Sequence, residues 1–339
     1  MTPKDRTQRA LTHQPVDYLP TQINYTQAMG QKMAVHFGVP MDDLPELLGN
    51  HLLRVDLSYD AKYSADGKLK YDWWGVGFDL QEEGYYAAHN PLGESKDLDA
   101  YPWPDPDDPQ LLDDARVQIE RKSAQHFVVP NFGWVLFERA WSLRGFETFL
   151  LDMALDPGFV EELLERIMVI QLALIKRFID LGVDGSYFGD DYGAQASLLF
   201  SPEMWRQMIK PRLARLFAPF HEIGLPIIMH SDGQISPILP DLVEIGLTTL
   251  NPVQPEVLDH AWLKSTFGER LTYYGGISTQ NVLPHGSPTE VKEAVKKCMH
   301  ILAPNNTGLL VAPSHRMMAD IPIENVSTLL EVFAEIREE

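Results

Sequence analysis

The fold of this chain is decided by a stretch that reads Leu225-Pro226-Ile227-Ile228-Met229-His230-Ser231-Asp232-Gly233. Its apolar first part, 225–229, is typical of a buried strand. His230 and Asp232 follow that run and, being two residues apart, are predicted to point to the same side. An imidazole and a carboxylate placed side by side provide two ligands of a metal site, or a hydrogen-bonded pair that recognises a substrate.

Similar short apolar runs recur along the chain. They cover residues 126–132, 185–191, 226–230, 247–251, 271–276 and 308–313. Segments of helical pattern lie between them, among them Pro157 to Leu181 and Pro202 to Ile223. Each of these two begins at a capping residue followed by proline and stops at a glycine. Alternating strands and helices predict parallel strands joined by helical crossovers.

The number of strands favours one architecture. The six runs and one or two earlier strands, of which 17–25 is the first, add up to roughly eight. We therefore predict an α/β fold, a TIM (β/α)8 barrel with an N-terminal extension. A doubly wound sheet is the alternative, but no strand opens into a G-x-G-x-x-G turn and the sequence has no Walker-type loop.

Residues 61–110 interrupt this alternation of strands and helices. The stretch 71–79 is aromatic and glycine-rich, which predicts a β-hairpin or meander, and the prolines between 102 and 109 predict an extended connector. We expect 61–110 to be a β-rich insertion near the barrel mouth, within a single domain that spans 1–339. The length of 339 residues agrees with a barrel of about 250 residues plus insertions.

Composition and charge exclude several classes of function. Apolar residues make up 45% of the chain, yet no apolar stretch reaches the roughly 18 residues that a membrane-spanning helix needs. Residues 1–6 lack the apolar core of a signal peptide, so we expect a cytoplasmic protein. The formal net charge of −20 disfavours nucleic acid and anionic membranes as partners.

Polar residues collect where the predicted strands end, which is where a TIM barrel carries its active site. Adjacent strand residues face opposite sides, so at most one of Asp190 and Asp191 enters the mouth, while the other caps a helix or binds a backbone amide. We predict catalytic roles for Asp190, Asp191, His230 and His315. We predict substrate contacts for Asn24, Tyr192, Asn251, Gln254 and Gly276, the last because glycine lets a ligand approach the backbone.

Several of these motifs, in this order, resemble one known family. The matching stretches are Asp190-Asp191-Tyr192-Gly193, Ser201-Pro202-Glu203-Met204-Trp205, His230-Ser231-Asp232-Gly233, Asn251-Pro252-Val253-Gln254-Pro255, Tyr274-Gly275-Gly276-Ile277-Ser278 and Ala312-Pro313-Ser314-His315, followed by Pro322-Ile323-Glu324-Asn325-Val326. From about residue 126 onward the chain resembles the uroporphyrinogen decarboxylase superfamily, which contains the decarboxylase and cobalamin-dependent methyltransferases. The resemblance implies a TIM barrel, in agreement with the strand count.

Resemblance to the methyltransferase branch implies a zinc site. That branch carries a His-x-Cys zinc motif on the strand where this chain has His230-Ser231-Asp232. Its third ligand is a cysteine seven residues before the proline of the tail motif, here Pro322. By this resemblance His230, Asp232 and His315 occupy the three zinc positions, with both thiolates replaced. They remain competent zinc ligands, in a harder site that favours oxygen donors.

The decarboxylase branch matches less well. It carries a Met-Arg-Gln-Ala-Gly-Arg motif near the first strand, whose arginines hold substrate carboxylates, whereas 19–27 here contain no arginine. The resemblance therefore implies a methyltransferase that moves a methyl group between a corrinoid on a partner protein and a small acceptor of the thiol or tetrahydrofolate type. The alternatives are a decarboxylase or another lyase acting on a small carboxylate, and a non-catalytic binding barrel.

Overall fold

The computed structural model describes residues 1–81, 83 and 86–338, which form two β-sheets surrounded by helices. The strands are β1 (Leu52–Val55), β2 (Lys62–Tyr63), β3 (Leu69–Tyr71), β4 (Gly77–Asp79), β5 (Ala87–His89), β6 (Phe127–Trp134), β7 (Ser186–Gly189), β8 (Ile227–His230), β9 (Thr249–Asn251), β10 (Thr272–Ile277) and β11 (Leu309–Pro313). The larger sheet is parallel, in the order β1-β6-β7-β8-β9-β10-β11. Each of the six strands predicted from residue 126 onward is present, which confirms the α/β class.

Helices alternate with these strands. They are α1 (Pro3–Leu11), α2 (Gln27–Phe37), α3 (Leu44–Leu47), α4 (Asp113–Lys122), α5 (Phe137–Arg144), α6 (Phe146–Leu155), α7 (Pro157–Asp180), α8 (Pro202–Met204), α9 (Lys210–Glu222), α10 (Leu239–Glu244), α11 (His260–Phe267), α12 (Val282–His285), α13 (Pro288–Leu302) and α14 (Ile323–Glu338). The predicted helix from Pro202 to Ile223 is divided by a π-helical turn at Trp205–Ile209. Its expected stop, Gly224, has the left-handed φ of 70° that favours glycine.

An apolar cluster fills the inner face of the curled parallel sheet. It consists of Leu11, Leu52, Phe127, Val129, Tyr187, Ile228, Tyr274, Leu310 and Ala312. A second and larger cluster packs the outer face of the sheet against the helices. Helix α1 lies across the amino-terminal edge, where Lys4 N donates to Gln125 O at 2.8 Å and Gly308 N donates to Ala10 O at 3.1 Å. The inner face is therefore closed by apolar packing at that edge and carries polar groups at the other.

The expected first strand, 17–25, is not a regular strand. Thr21 forms an isolated parallel bridge with Val311, and the Thr21 carbonyl accepts an N–H from His51 at 3.2 Å. Side chains replace part of the backbone ladder here, since Ile23 N donates to Asn50 Oδ1 at 2.8 Å. The segment thus contacts both edges of the seven-stranded sheet. Strand β1 forms one of these edges and pairs with β6 in parallel.

The predicted meander is present as the antiparallel sheet β2-β3-β4-β5. It packs against α5 and the end of β6, at the carboxyl-terminal edge of the parallel sheet. Asp72 forms an ion pair with Arg139 at 2.7 Å, and the rings of Phe78 and Trp134 lie 5.3 Å apart. The prediction of a single domain remains a prediction.

The described helices include none that is both long and apolar enough to cross a membrane. The longest, α7, has 24 residues, and charged residues interrupt its apolar surface. A cytoplasmic location remains a prediction.

Candidate active site

Asp190 directly follows β7 and holds the first turn of α5. Its side chain is fully buried. Its carboxylate accepts backbone N–H bonds from Leu136 at 3.2 Å, Phe137 at 2.8 Å and Glu138 at 2.6 Å, and Tyr192 Oη donates to it at 2.9 Å. Burial raises the pKa of Asp190 to about 7, while these four donors favour the carboxylate and oppose that rise. The arrangement fixes a helix terminus and leaves the carboxylate no free face.

Tyr192 was predicted to contact substrate, and that contact remains a prediction. It is fully buried, and its ring packs against Phe137, Phe200 and Trp205. Its hydroxyl donates to Asp190. Tyr192 therefore belongs to the packing beneath the site. The sequence did not reveal this, because a tyrosine after a strand end serves equally well in a cleft or in a core.

Asp191 lies in the site, on the opposite side of the chain from Asp190, as strand alternation predicted. Its Oδ1 accepts the N–H of Asp232 at 2.7 Å and lies 3.8 Å from His230 Nε2. One third of its side chain is exposed. Burial and the nearby charge of Asp232 raise the pKa of Asp191 to about 6, although His230 acts in the opposite direction. A carboxyl group of that pKa can accept a proton near neutral pH.

Asn251 fixes the tautomer of His230. Asn251 Nδ2 donates to the carbonyl of Tyr274 at 2.8 Å, which leaves Asn251 Oδ1 as an acceptor. Oδ1 receives the hydroxyl of Tyr187 at 2.8 Å and lies 2.7 Å from His230 Nδ1, so Nδ1 carries a proton. In the neutral ring Nε2 then presents its lone pair. Asn251 therefore orients His230, and its predicted contact with substrate remains a prediction.

His230, Asp232 and His315 converge although their strands lie far apart in sequence. Asp232 Oδ2 lies 3.7 Å from His230 Nε2 and 4.0 Å from His315 Nε2. One ligand atom from each residue lies within 4.8 Å of the others. Tetrahedral zinc holds such atoms roughly 3.3 Å apart, so small side-chain rotations separate this arrangement from a ligated one.

The groups behind these ligands also suit a metal ion. His315 Nδ1 lies 3.3 Å from the carbonyl of Arg316 and donates to it, as His230 Nδ1 donates to Asn251. Metal-binding histidines usually have their second ring nitrogen held in this way. Both Nε2 atoms are left to face Asp232. The residues therefore fit the zinc site that the resemblance implied.

Charges around these ligands set their protonation. Burial alone lowers the pKa of His230, but the carboxylates of Asp232 and Asp191 and the hydrogen bond to Asn251 raise it to about 9. Burial disfavours ionisation of Asp232, yet His230 and His315 hold its pKa below the usual range. Burial lowers the pKa of His315. Near pH 7 the metal-free site therefore holds one imidazolium, and a metal ion must displace its proton.

A cleft of about 230 Å³ opens beside these ligands at the carboxyl-terminal edge of the sheet. It is lined by Gln195, Asp232, Gln254, Thr279, Gln280, Ser314, His315, Arg316, Met318, Asp320 and Ile321. Gln254, predicted to contact substrate, lies there and accepts the N–H of Gly233 at 3.4 Å. His315 is the most open of the three candidate ligands, with 43% of its side chain exposed. A substrate entering the cleft therefore meets His315 and Asp232 directly.

Two further predicted contacts lie elsewhere. Gly276 is buried with a φ of 92°, and a Cβ built on it would lie 2.5 Å from Cys298 Sγ, so packing alone explains the glycine. Asn24 Nδ2 donates to Tyr274 Oη at 2.8 Å, on the inner face of the sheet. A ligand contact at either residue remains a prediction.

Sequence reasoning missed two charged residues. Arg54 in β1 donates from Nη2 to Tyr274 Oη at 2.9 Å. The sequence offered one clue to it, a charged residue inside the otherwise apolar run Leu52-Leu53-Arg54-Val55. Glu138 in α5 is 6% exposed, and burial together with Asp191 and Asp190 raises its pKa well above the usual range. Glu138 gave no signal, because a glutamate in a helix is ordinarily a surface residue.

Comparison with known proteins relates this chain to one family. A family model described as uroporphyrinogen decarboxylase (URO-D) matches residues 72–336. No curated protein is detectably similar in sequence. A solved methyltransferase from Methanosarcina mazei is 19% identical over 99% of this chain and 99% of its own, with a TM-score of 0.76, which shows a shared fold. A B12-independent methionine synthase from Shewanella sp. W3-18-1 is 9% identical over 95% of this chain and 96% of its own, with a TM-score of 0.49.

Proposed function

The chain belongs to the uroporphyrinogen decarboxylase (URO-D) family, and from this membership we propose that it is a methyltransferase. The methyl group passes between a corrinoid held by a partner protein and a small acceptor of the thiol or tetrahydrofolate type. The observation that carries the proposal is the convergence of His230, Asp232 and His315, which the resemblance matched to the three zinc positions of the methyltransferase branch. The fold shared with the Methanosarcina mazei methyltransferase supports the same branch.

We assign zinc to His230, Asp232 and His315. Bound there, zinc supplies a Lewis acid that favours the deprotonated form of an acceptor thiol. Asn251 and the Arg316 carbonyl orient the two imidazoles, which keeps the ligand atoms directed at one point. Asp191, whose pKa is raised to about 6, accepts the proton that the acceptor loses. Asp190 has a positioning role, because it holds the start of α5 and thereby the loop after β7.

We place the corrinoid partner over the carboxyl-terminal edge of the parallel sheet. The cleft opens at this edge, and His315 is 43% exposed there. We take the parallel sheet to close into a TIM barrel, with residues 20–25 in the place of an eighth strand. A carrier protein that covers the mouth then delivers the methyl group directly above the ligand atoms.

The second candidate is a decarboxylase or another lyase acting on a small carboxylate. The observation in its favour is the pair His230 and Asp191, 3.8 Å apart, with pKa values of about 9 and about 6. Near pH 7 the pair holds a proton donor beside a proton acceptor, which suits proton transfer without a metal.

The decisive experiment measures metal content and methyl transfer in the same preparations. We expect about one zinc per chain in the wild type, together with transfer from methylcobalamin to a simple thiol. His230→Ala should lose both, while His221→Ala, an exposed histidine of α9, should keep both. A metal-free wild type that decarboxylates small acids favours the second candidate. A protein that binds these molecules without turnover is a binding barrel, and the proposal fails.

A further inference from the structure

A second cavity, termed the aromatic groove, lies beside the antiparallel sheet. Its volume is about 670 Å³, against about 230 Å³ for the cleft beside the candidate ligands, and the two share none of their described lining residues. Small-molecule sites have volumes of roughly 300–1,000 Å³, so the groove is large enough for a ligand. It is lined by Tyr59, Asp60, Lys62, Tyr71, Asp72, Trp73, Trp74, Gly75, His89, Pro91, Leu92, Ser95, Asp97, Ala100, Tyr101 and Pro102.

The rings that form the walls of the groove are held in fixed positions. The rings of Trp73 and Trp74 lie 5.6 Å apart, nearly at right angles, and Tyr101 Oη donates to the carbonyl of Trp74. On the strand side, the ring of Tyr71 meets that of His89 edge-on at 5.7 Å. A ligand that enters therefore does not have to order these walls, which lowers the entropic cost of binding.

The aromatic rings of this region differ in whether a cation already stands over them. The guanidinium carbon of Arg139 lies 5.1 Å from the ring centre of Trp74. That of Arg166 lies 5.9 Å from the ring centre of Trp103. Trp73 is half-buried in the groove wall, and no described lysine or arginine stands over its ring. Tryptophan is the side chain whose ring face attracts cations most strongly, so Trp73 can receive one from solution.

Two carboxylates of the groove favour a cation as its ligand. Asp60 and Asp97 are exposed, and neither forms an ion pair with a described lysine or arginine. Asp97 Oδ1 accepts the N–H groups of Asp99 at 3.1 Å and Ala100 at 3.0 Å, which leaves Oδ2 for a ligand. The formal net charge of −20 on the whole chain also attracts cations toward this surface.

The other charged residues of the groove do not reverse this preference. Asp72 is already balanced by Arg139 at 2.7 Å. Lys62 in β2 is exposed and is the one lysine or arginine among the described lining residues. Two carboxylates, Asp60 and Asp97, thus face one ammonium group, and the remaining charge is negative. An anion would meet repulsion in the groove, and a neutral ligand would leave both carboxylates unused.

The combination of rings and carboxylates selects the kind of cation. A metal ion needs several converging ligand atoms. Among the described residues, the one cluster of three or more metal-ligating side chains is that of His230, Asp232 and His315, outside the groove. A quaternary ammonium group has no N–H to satisfy, and its methyl groups pack against aromatic faces while its charge remains attractive to them.

We propose that the aromatic groove binds an organic cation through a quaternary ammonium group. The methyl groups contact Trp73 and Tyr71, and Asp60 and Asp97 balance the charge. The volume of the groove leaves room for the rest of the molecule. This binding site is independent of the methyltransferase proposal, because none of the described lining residues of the groove belongs to the cleft beside His315.

Choline and its neutral carbon isostere, 3,3-dimethylbutan-1-ol, test the role of the charge at nearly constant shape. Each molecule has three equivalent methyl groups, whose single NMR signal broadens when the molecule binds the protein. The wild type should bind choline roughly 10-fold more tightly than the alcohol. A wild type that binds neither molecule, or binds both equally, overturns the proposal.

Substitutions separate the contribution of the ring from that of the charges. Trp73→Leu keeps apolar bulk and should remove most of the preference for choline. Asp97→Asn, whose amide oxygen can still accept both backbone N–H groups, should weaken choline binding, and Lys62→Gln should strengthen it, by roughly two- to fivefold in each case. Trp262→Leu, which changes an exposed tryptophan of α11, is the control and should retain the full preference.

Melting temperatures distinguish a lost binding site from a lost fold. If Trp73→Leu lowers the melting temperature but keeps the preference for choline, or if Asp97→Asn and Lys62→Gln do not act in opposite directions, the proposal fails. His230→Ala should bind choline like the wild type whatever the zinc experiment gives. Loss of choline binding in that variant would place the cation in the active site and would also overturn the proposal.

A peptide that carries trimethyllysine identifies the source of the cation. Binding of this peptide that is tighter than that of choline and depends on Trp73 indicates a methylated side chain of another protein. Weaker binding indicates a free small molecule. Both results support the aromatic groove as a site for a quaternary ammonium group.

Discussion

Two histidines at opposite edges of the parallel sheet hold their rings in the same way. His51 precedes β1 at the amino-terminal edge, and His230 ends β8 at the carboxyl-terminal edge. In each ring Nδ1 donates to an oxygen, the Thr21 carbonyl at 3.1 Å for His51 and Asn251 Oδ1 at 2.7 Å for His230. The tautomer is therefore alike, whereas His51 is 2% exposed and the His230 side chain is 19% exposed. The other difference lies in the group that faces Nε2.

That group differs in the sign of its charge. Arg6 donates to His51 Nε2 at 3.3 Å, and burial together with this cation lowers the pKa of His51 to about 4. His230 faces Asp232 at 3.7 Å, and its pKa rises to about 9 against the effect of burial. The first ring is held neutral with its lone pair occupied. The second is charged and exchangeable, so the sign of the neighbouring charge helps to separate a structural histidine from a candidate ligand.

The largest effect should come from removing the charge that distinguishes the two edges. Asp232→Asn takes away the one anionic ligand, and we expect zinc affinity to fall roughly a thousandfold, which is about 4 kcal/mol or roughly a third of the binding free energy of a structural zinc site. His51→Gln at the other edge should leave zinc affinity unchanged. Titration against a chelator measures both. Equal losses in the two variants would erase the distinction between the edges.

A second substitution tests whether the carboxyl-terminal edge is wholly functional. Asp190→Asn should lower the free energy of unfolding by about 3 kcal/mol, because an amide cannot accept all the N–H groups that the carboxylate accepts. Asp191→Asn, which loses one backbone contact, should change it by less than about 1 kcal/mol. Urea unfolding of metal-free protein provides both values. The reverse order would place Asp190, not Asp191, in the chemistry.

The metal-free protein should respond to pH in opposite directions through the two histidines. His51, with a folded pKa of about 4 against 6.5 when unfolded, contributes stability above pH 6.5 that is lost as the pH falls toward 4. His230, with a folded pKa of about 9, contributes stability below pH 6.5 that is lost as the pH rises through 9.

Urea unfolding at about pH 5, 6.5 and 9 compares the wild type with His51→Gln and His230→Gln. The stability difference from wild type should grow with pH for His51→Gln and shrink with pH for His230→Gln, by roughly 1–3 kcal/mol in each case. Parallel slopes would mean that burial outweighs the neighbouring charges after all.

The smallest effect should come from the group behind His230. Asn251→Ala removes the acceptor that fixes Nδ1, and we expect zinc affinity to fall roughly 10- to 100-fold, less than for a ligand itself. Gln254→Ala, a cleft residue that holds neither histidine, should leave zinc affinity unchanged. An unaltered affinity in Asn251→Ala would show that the tautomer needs no support.

The parts of the site that depend on the pattern of neighbouring residues in the chain could be predicted from the sequence. Strand period placed Asp190 and Asp191 on opposite sides, and the run before His230 located the end of β8. The strand 17–25 was mispredicted because Asn50 and other side chains replace its backbone ladder. The burial of Tyr192 and Gly276 was not predictable, because a strand end has the same sequence pattern whether its residues face a cleft or a helix.

The sequence by itself determined the alternation of strands and helices, the edge on which polar residues collect, and three candidate ligands. The alternation and the polar edge depend on periodicity, which acts between near neighbours in the chain, whereas the grouping of His315 with His230 and Asp232 came from the family resemblance. Only the tertiary structure decided that Asn251 orients His230, that Arg54 meets Tyr274 across 220 residues, and which charges face each histidine. Charges act through space and depend on distance and burial, so a pKa or a binding partner is settled only when the sheet has curled and brought its strand ends together.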